Sequence, residues 1–127
     1  MIPLFDLHCD TAFALLGEDL QQAGSLRKNE YHIDLERAKA LAGYAQCFAC
    51  YTSTWKNLPD NITVEDVFER QLAVILHEIE KNNDVIRQAF TADDIEKNRQ
   101  NGLMSAILTC EGTVGFGCDP ALLEDLY

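Results

Sequence analysis

Apolar runs separated by segments of helical periodicity organise the chain. Three of these runs are short, are rich in Ile, Leu, Phe and Ala, and end in polar residues, as expected of buried strands, and the second run is apolar on both faces. They are residues 2–7, 45–51 and 103–110. The first run leads into His8-Cys9-Asp10 and the third leads into Glu111. We therefore predict three buried strands, of which the first and the third deliver polar side chains at their carboxyl ends.

The strongest helix signal lies between the second and third runs. Thr63-Val-Glu-Asp66 is a typical helix start, because Thr and Asp three residues apart can cap the first turn reciprocally. Glu78 and Glu80 are predicted on the solvated side of this helix, and His77 lies next to its apolar stripe. The stripe itself consists of residues that recur at helical spacing, namely Val64, Val67, Phe68, Leu72, Ile75, Leu76 and Ile79.

The other helical segments are shorter. Asp34 is a suitable cap for a helix that ends before Gly43, and Gly102 is the expected left-handed terminator of another. Residues 17–33 are polar and predict an irregular excursion. The short segments are residues 12–16, residues 35–41, the helix that starts at Thr91-Ala-Asp-Asp94, and a helix restarted by Asp119-Pro120 with Leu122, Leu123 and Leu126 on its apolar stripe.

The order of these elements predicts the fold. Alternating strands and helices are typical of right-handed crossovers around a parallel sheet. We therefore predict an α/β fold in one domain over residues 1–127. In such sheets, ligating and catalytic groups lie beyond the carboxyl ends of the strands.

Composition and charge narrow the class of protein. The 127 residues are 47% hydrophobic and 24% charged, which indicates a globular chain. The net charge of -11 argues against nucleic acid and anionic membrane as partners. The chain reaches Asp6 without a basic leader, so we expect no signal peptide, and no run approaches the roughly 20 apolar residues of a membrane helix.

The cysteines indicate a reducing compartment. Their number is odd and most lie in apolar runs, which fits buried free thiols and predicts a cytoplasmic location. Cys47-Phe-Ala-Cys50 has the CxxC spacing of redox and zinc motifs, but residues three apart on a strand face opposite sides. No second CxxC completes a zinc site. The five cysteines are Cys9, Cys47, Cys50, Cys110 and Cys118.

His8, Asp10 and Glu111 are the candidate metal ligands. Side chains alternate along a strand, so His8 and Asp10 point the same way and form half of a divalent metal site. For this motif alone, a core histidine satisfied by a neighbouring acid is an equal alternative. Glu111 follows a different strand at the same rim, which favours the metal site. His32 in a polar loop and His77 on a helix are predicted to lie outside it.

With these motifs, the sequence resembles the renal (membrane) dipeptidase family of zinc peptidases. The matching segments are 6–11 (DLHCDT), 33–53 and 93–113. The resemblance implies the N-terminal part, about three strand–helix units, of a (β/α)8 TIM barrel. It also implies two zinc ions, one bound by His8 and Asp10 and both bridged by Glu111. A zinc-activated water would then attack the scissile carbonyl of a dipeptide substrate.

The chain departs from that family in two ways. Thr113 stands where the family has a second glycine after the bridging glutamate, and the chain is short, since such a barrel needs about 250 residues. The family's later histidines, its substrate-binding arginine and its catalytic acid are missing from these residues. We therefore expect an incomplete domain that is inactive alone and exposes an apolar strand edge. Self-association or a C-terminal remainder of the barrel would cover that edge.

Two alternatives stay open. In the first, the chain is a non-catalytic truncated fragment that acts only as a metal-binding or assembly piece. In the second, it belongs to another amidohydrolase-type metal hydrolase. Those barrels more often open with His-x-His, whereas Asp10 stands at the second position here.

Overall fold

A parallel sheet forms the centre of the computed structural model, which describes residues 3–17, 19–41, 43–52 and 58–112 together with Ala121 and Glu124. In this part of the chain the sheet has four strands in the order β1-β2-β4-β3, and all neighbouring strands are parallel. The predicted α/β class is therefore confirmed. The strands are β1 (Leu4–Cys9), β2 (Tyr44–Tyr51), β3 (Ile86–Gln88) and β4 (Met104–Glu111).

Four helices connect these strands in the described residues. The longest, α3, begins where the sequence predicts: the Asp66 amide donates to Thr63 Oγ1 at 3.1 Å, and the Thr63 amide donates to Asp66 Oδ2 at 2.7 Å. The same reciprocal cap between Thr91 and Asp94 starts α4. The helices are α1 (Thr11–Ala14), α2 (Leu35–Ala38), α3 (Val64–Lys81) and α4 (Ala92–Gln100).

Two elements differ from the sequence prediction. The helix capped by Asp34 is shorter than predicted, because Leu41 N–H donates to the Ala38 carbonyl in a tight turn that directs the chain into β2. The strand β3 was not predicted at all. It has three residues, which is too short for a periodic pattern, and it pairs only with the first three residues of β4.

The core lies between the sheet and α3. The stripe of α3 supplies the buried residues Val67, Phe68, Ile75 and Ile79, and Leu76 lies at its exposed margin. The strand β2 is buried along nearly its whole length, which confirms its predicted cover on both faces. No helix among the described residues combines the length and the apolar character that crossing a membrane requires.

Glu78 is fully buried, and the prediction that it lies on the solvated side of α3 is wrong. Its carboxylate accepts hydrogen bonds from Gln22 Nε2 at 2.8 Å and from Ser25 Oγ at 2.9 Å. It also accepts from the Leu26 backbone amide at 2.6 Å and from Lys81 Nζ at 3.2 Å. Three of these donors belong to the irregular excursion after α1, which folds over the helix and buries the carboxylate.

The strand β1 is largely exposed, and the prediction that it is a buried strand is wrong. It pairs with β2 alone in the described sheet, so it is an edge strand. Leu4, Phe5 and Leu7 are 43%, 50% and 75% exposed because no described residues cover this edge. This is the apolar strand edge that the sequence predicts.

Several predictions fall outside the described residues. They concern Ile2 at the start of the first run, Thr113, Cys118, the helix restarted by Asp119-Pro120, and the apolar stripe of Leu122, Leu123 and Leu126.

Candidate metal centre

A β-bulge near the end of β1 sets the direction of its last side chains. Asp6 is the partner of Gln46 on β2, but Cys9 is the partner of Phe48. Three steps along β1 therefore match two steps along β2, so β1 contains one extra residue. Bulges of this kind bend a strand and redirect side chains, often next to functional sites.

Three ligand-type side chains converge beyond this bulge. His8 Nε2 lies 3.2 Å from Asp10 Oδ1 and 3.3 Å from Glu111 Oε2. One ligand atom from each residue lies within 4.8 Å of the other two. All three side chains are about half exposed, at 50%, 59% and 48%. The structure thus brings together His8, Asp10 and Glu111, the three residues that the sequence suggested.

The chemistry of this donor set fits a divalent cation. Zinc binds nitrogen and carboxylate oxygen at about 2.0–2.2 Å, so neighbouring ligand atoms of a tetrahedral site lie about 3.3–3.5 Å apart. The two distances from His8 Nε2 are close to that spacing. A single imidazole nitrogen can donate at most one proton, so it cannot hydrogen-bond well to both carboxylates. A shared cation would satisfy the nitrogen lone pair and both carboxylates together.

Glu111 is held in place through its backbone. Its carbonyl oxygen accepts from the Thr52 amide at 2.8 Å and from Thr52 Oγ1 at 3.2 Å. Thr52 is 1% exposed and follows β2 directly. On the other side, Gly112 has a left-handed φ of +83°. These contacts join the ends of β2 and β4 and fix where the Glu111 side chain leaves the sheet.

Gly112→Ala is expected to lower the free energy of unfolding by at least about 2 kcal/mol. The left-handed backbone disfavours any Cβ, and the added Cβ would lie 2.6 Å from the Thr52 carbonyl oxygen, a backbone atom that cannot move aside easily. Urea denaturation of both proteins measures the difference.

Gly102→Ala is the matched control, because Gly102 has a similar φ of +71° but nothing within 4 Å of the added Cβ. Gly102→Ala should lower the free energy of unfolding only by the cost of a left-handed backbone that carries a Cβ, about 1 kcal/mol. Equal destabilisation by the two variants would show that the close approach of Gly112 to Thr52 does not matter.

The other candidate residues stay outside this centre. His32 and His77 are exposed and belong to no metal-type cluster among the described residues. Cys47 and Cys50 are buried free thiols. Burial raises the pKa of Cys47, and it raises the pKa of Cys50 to about 12, so both thiols stay protonated at neutral pH. Protonated thiols are poor metal ligands, which argues against a metal or redox role for the CxxC pair.

Two supporting residues were missed from the sequence. Thr52 holds the Glu111 backbone, and Asp6 Oδ1 accepts a hydrogen bond from the His8 amide at 3.2 Å. Asp6 could have been noticed, because a short acidic side chain often bonds the amide two residues later. Nothing in the sequence pairs Thr52 with Glu111, which is 59 residues away.

Comparisons with known proteins identify what the chain resembles. A family model described as membrane dipeptidase (peptidase family M19) matches residues 1–127. The structure is similar to that of dipeptidase AC, a metallopeptidase of family M19, with a TM-score of 0.71 and 19% identity over 98% of this chain and 42% of that chain.

It is also similar to a metallopeptidase from Rhodobacter sphaeroides that is liganded with a phosphinate mimic of the dipeptide L-Ala-D-Ala. That likeness has a TM-score of 0.72 and 20% identity, and covers 98% of this chain and 43% of that chain. The chain therefore spans less than half the length of these two structures, which is consistent with the N-terminal portion of a TIM barrel. A search of curated proteins finds no significant match.

Proposed function

Because the chain belongs to the membrane dipeptidase family (peptidase family M19), we propose that it carries the N-terminal part of the metal site of a dipeptidase. The observation that carries this proposal is the convergence of His8, Asp10 and Glu111 within 4.8 Å at the carboxyl ends of β1 and β4. These are a nitrogen and two carboxylates, the donor types of hydrolytic zinc sites.

Each of the three residues has a distinct task in this proposal. His8 and Asp10 would hold one zinc ion, and their charges sum to one negative charge when the imidazole is neutral. Glu111 has a second carboxylate oxygen beside the one that faces His8, so it would be available to a second ion as well in the complete enzyme. Bound zinc supplies a Lewis acid and lowers the pKa of its water towards 7, which makes a hydroxide nucleophile available at neutral pH.

The proposed substrate is a dipeptide, hydrolysed at its peptide bond. The Rhodobacter sphaeroides relative is liganded with a phosphinate mimic of a dipeptide, which supports this substrate class. A phosphinate resembles the tetrahedral species that forms when water adds to a carbonyl. Complexes of that kind are expected where the enzyme binds the transition state more tightly than the substrate.

The proposal includes the need for further polypeptide. The described residues offer one group of His, Cys, Asp or Glu side chains that could hold a metal, and the chain spans 42–43% of the two solved relatives. We propose that the remaining ligands and the catalytic acid lie on a C-terminal remainder of the barrel. That remainder, or a second copy, would cover the exposed edge of β1. The free thiols of Cys9, Cys47, Cys50 and Cys110 support a cytoplasmic location.

Dipeptide hydrolysis tests the proposed function. The longest protein that the reading frame encodes should release alanine from L-Ala-D-Ala or another dipeptide when zinc is present and stop when a chelator removes it. His8→Ala should lower kcat/KM by at least about 100-fold, since even residues that only orient a metal ligand cost up to that much.

His77→Ala is the matched control, because His77 is an exposed histidine outside the candidate centre, and it should retain full activity. The isolated 127-residue chain should bind zinc weakly and hydrolyse no dipeptide. Full activity of His8→Ala would refute the proposed site. Turnover by the isolated chain would refute the proposal that the site needs further polypeptide.

A further inference from the structure

The β-bulge of β1 decides which face of the sheet presents the candidate ligands. Without the extra residue, the pairing of Asp6 with Gln46 would continue as His8 with Phe48. Phe48 is fully buried in the core between sheet and helices. His8 would then point into that apolar core, because a shift of one residue moves every side chain of a strand to the other face.

The observed register places the ligands on the face of Glu111. Cys9, not His8, is the partner of Phe48, and Cys9 is buried in the same core. Glu111 is the partner of Tyr51, which lies on the opposite face of β2 from Phe48 because the two are three residues apart. The bulge therefore turns His8 towards Glu111, and without it the three ligand atoms could not meet.

Asp6 is placed to hold this bulge. Its Oδ1 accepts a hydrogen bond from the His8 backbone amide at 3.2 Å, across the extra residue. Its carbonyl oxygen lies 3.4 Å from Gln46 Nε2, and the Oε1 atom of Gln46 accepts from the Tyr44 hydroxyl. A bulge leaves a backbone group outside the ladder, and a carboxylate that accepts that amide stabilises the local turn.

We propose that Asp6 is a positioning residue of the metal centre, which holds the bulge of β1 through the His8 amide and thereby directs His8 towards Glu111. The part that concerns zinc rests on the proposed function. The part that concerns the bulge does not, because it follows from the register and the hydrogen bond alone. Asp6 itself does not belong to the ligand cluster.

Two substitutions separate the geometry of Asp6 from its charge. Asp6→Asn keeps an oxygen at the same distance but removes the charge, whereas Asp6→Glu keeps the charge but moves the carboxylate by one methylene. Neither leaves a large cavity. Hydrogen exchange of the His8 amide in metal-free protein reports on the bulge, and competition with a chromophoric chelator gives the zinc affinity.

We expect Asp6→Asn to keep the zinc affinity and the exchange rate of the His8 amide within about threefold of the wild type. Asp6→Glu should weaken zinc binding by about 10–100-fold and speed exchange of the His8 amide. Asp19→Ala is the control, since Asp19 Oδ1 accepts from the amide two residues later at 3.1 Å, in a loop outside the ligand cluster. It should change neither value.

Weaker zinc binding by Asp6→Asn with unchanged binding by Asp6→Glu would overturn the proposal, because the charge of Asp6 and not the position of its oxygen would then govern binding. Unchanged His8 exchange in Asp6→Glu would overturn it as well. If the wild-type chain binds no zinc, the proposed function loses its metal site in this chain. The exchange data would still decide whether Asp6 holds the bulge.

Discussion

Glu111→Ala is expected to bind zinc at least about 100-fold more weakly than the wild-type chain. Glu111 Oε2 is 3.3 Å from His8 Nε2 and is the ligand that β4 contributes, so its removal leaves only the two candidates from the end of β1. A cation held by one imidazole and one half-exposed carboxylate keeps most of its water. The backbone of Glu111 still bonds to Thr52, so the variant should fold normally.

Isothermal titration with zinc measures this loss. Glu69→Ala serves as the matched control, because Glu69 is an exposed glutamate on α3 and its removal changes the net charge of -11 by the same amount. The control should keep the wild-type affinity within about twofold, since Glu69 does not belong to the ligand cluster and the field of an exposed charge is screened at ordinary salt. If both variants lose affinity equally, zinc responds to the overall negative charge and no specific site exists.

The features that could be predicted from the sequence are those whose cause is local. Thr63 and Asp66 are three residues apart, and they cap each other whatever surrounds them. The alternation of strands and helices predicts a parallel sheet, which brings the ends of β1 and β4 to one rim. His8 and Glu111 could therefore be expected at the same place before their distance was known.

The features that could not be predicted depend on contacts between distant segments. Glu78 lies beside an apolar stripe and has the pattern of a solvated residue, but donors more than 50 residues away bury it. The bulge of β1 is a property of the pairing with β2 and leaves no mark on the hydrophobic pattern. The sequence predicts that His8 and Asp10 point to the same face, but it does not predict which face of the sheet that is.

The exposure of β1 has a different cause. Phe5 and Leu7 have the sequence of a buried strand, and their exposure means that no part of the chain that the structure describes lies beside this edge. The hydrophobic pattern of β1 thus predicts cover for its apolar side chains that the described residues do not provide. The coverage of 42–43% of the two solved relatives agrees with this interpretation.

Glu78→Ala is expected to lower the free energy of unfolding by about 3–5 kcal/mol at neutral pH. The substitution removes the acceptor of four hydrogen bonds, from Gln22, Ser25, Leu26 and Lys81. The largest part of this loss is expected at the Leu26 amide, because Leu26 is fully buried and water cannot replace the carboxylate as the hydrogen-bond acceptor. Urea denaturation gives the total loss, and faster hydrogen exchange of the Leu26 amide locates it.

The same carboxylate makes the loss depend on pH. Burial raises the pKa of Glu78, but the hydrogen bonds that it accepts outweigh burial and lower the pKa below the ordinary value. The folded protein therefore binds this proton less readily than the unfolded chain, so the charged carboxylate stabilises the fold above the ordinary glutamate pKa of about 4.3. That contribution is lost as the pH falls through the lowered pKa of the folded state, and the gap between wild type and Glu78→Ala should narrow there.

Glu80→Ala separates this effect from a general loss of charge on α3. Glu80 is an exposed glutamate two residues further along the same helix, so its removal should change the free energy of unfolding by less than about 0.5 kcal/mol at any pH. The free energy of unfolding of Glu78→Gln should lie between those of Glu78→Ala and Glu80→Ala. The amide oxygen of the glutamine can accept some of the hydrogen bonds, but its amide nitrogen faces a donor. If Glu78→Ala is as stable as Glu80→Ala, the irregular excursion after α1 is not anchored through this carboxylate.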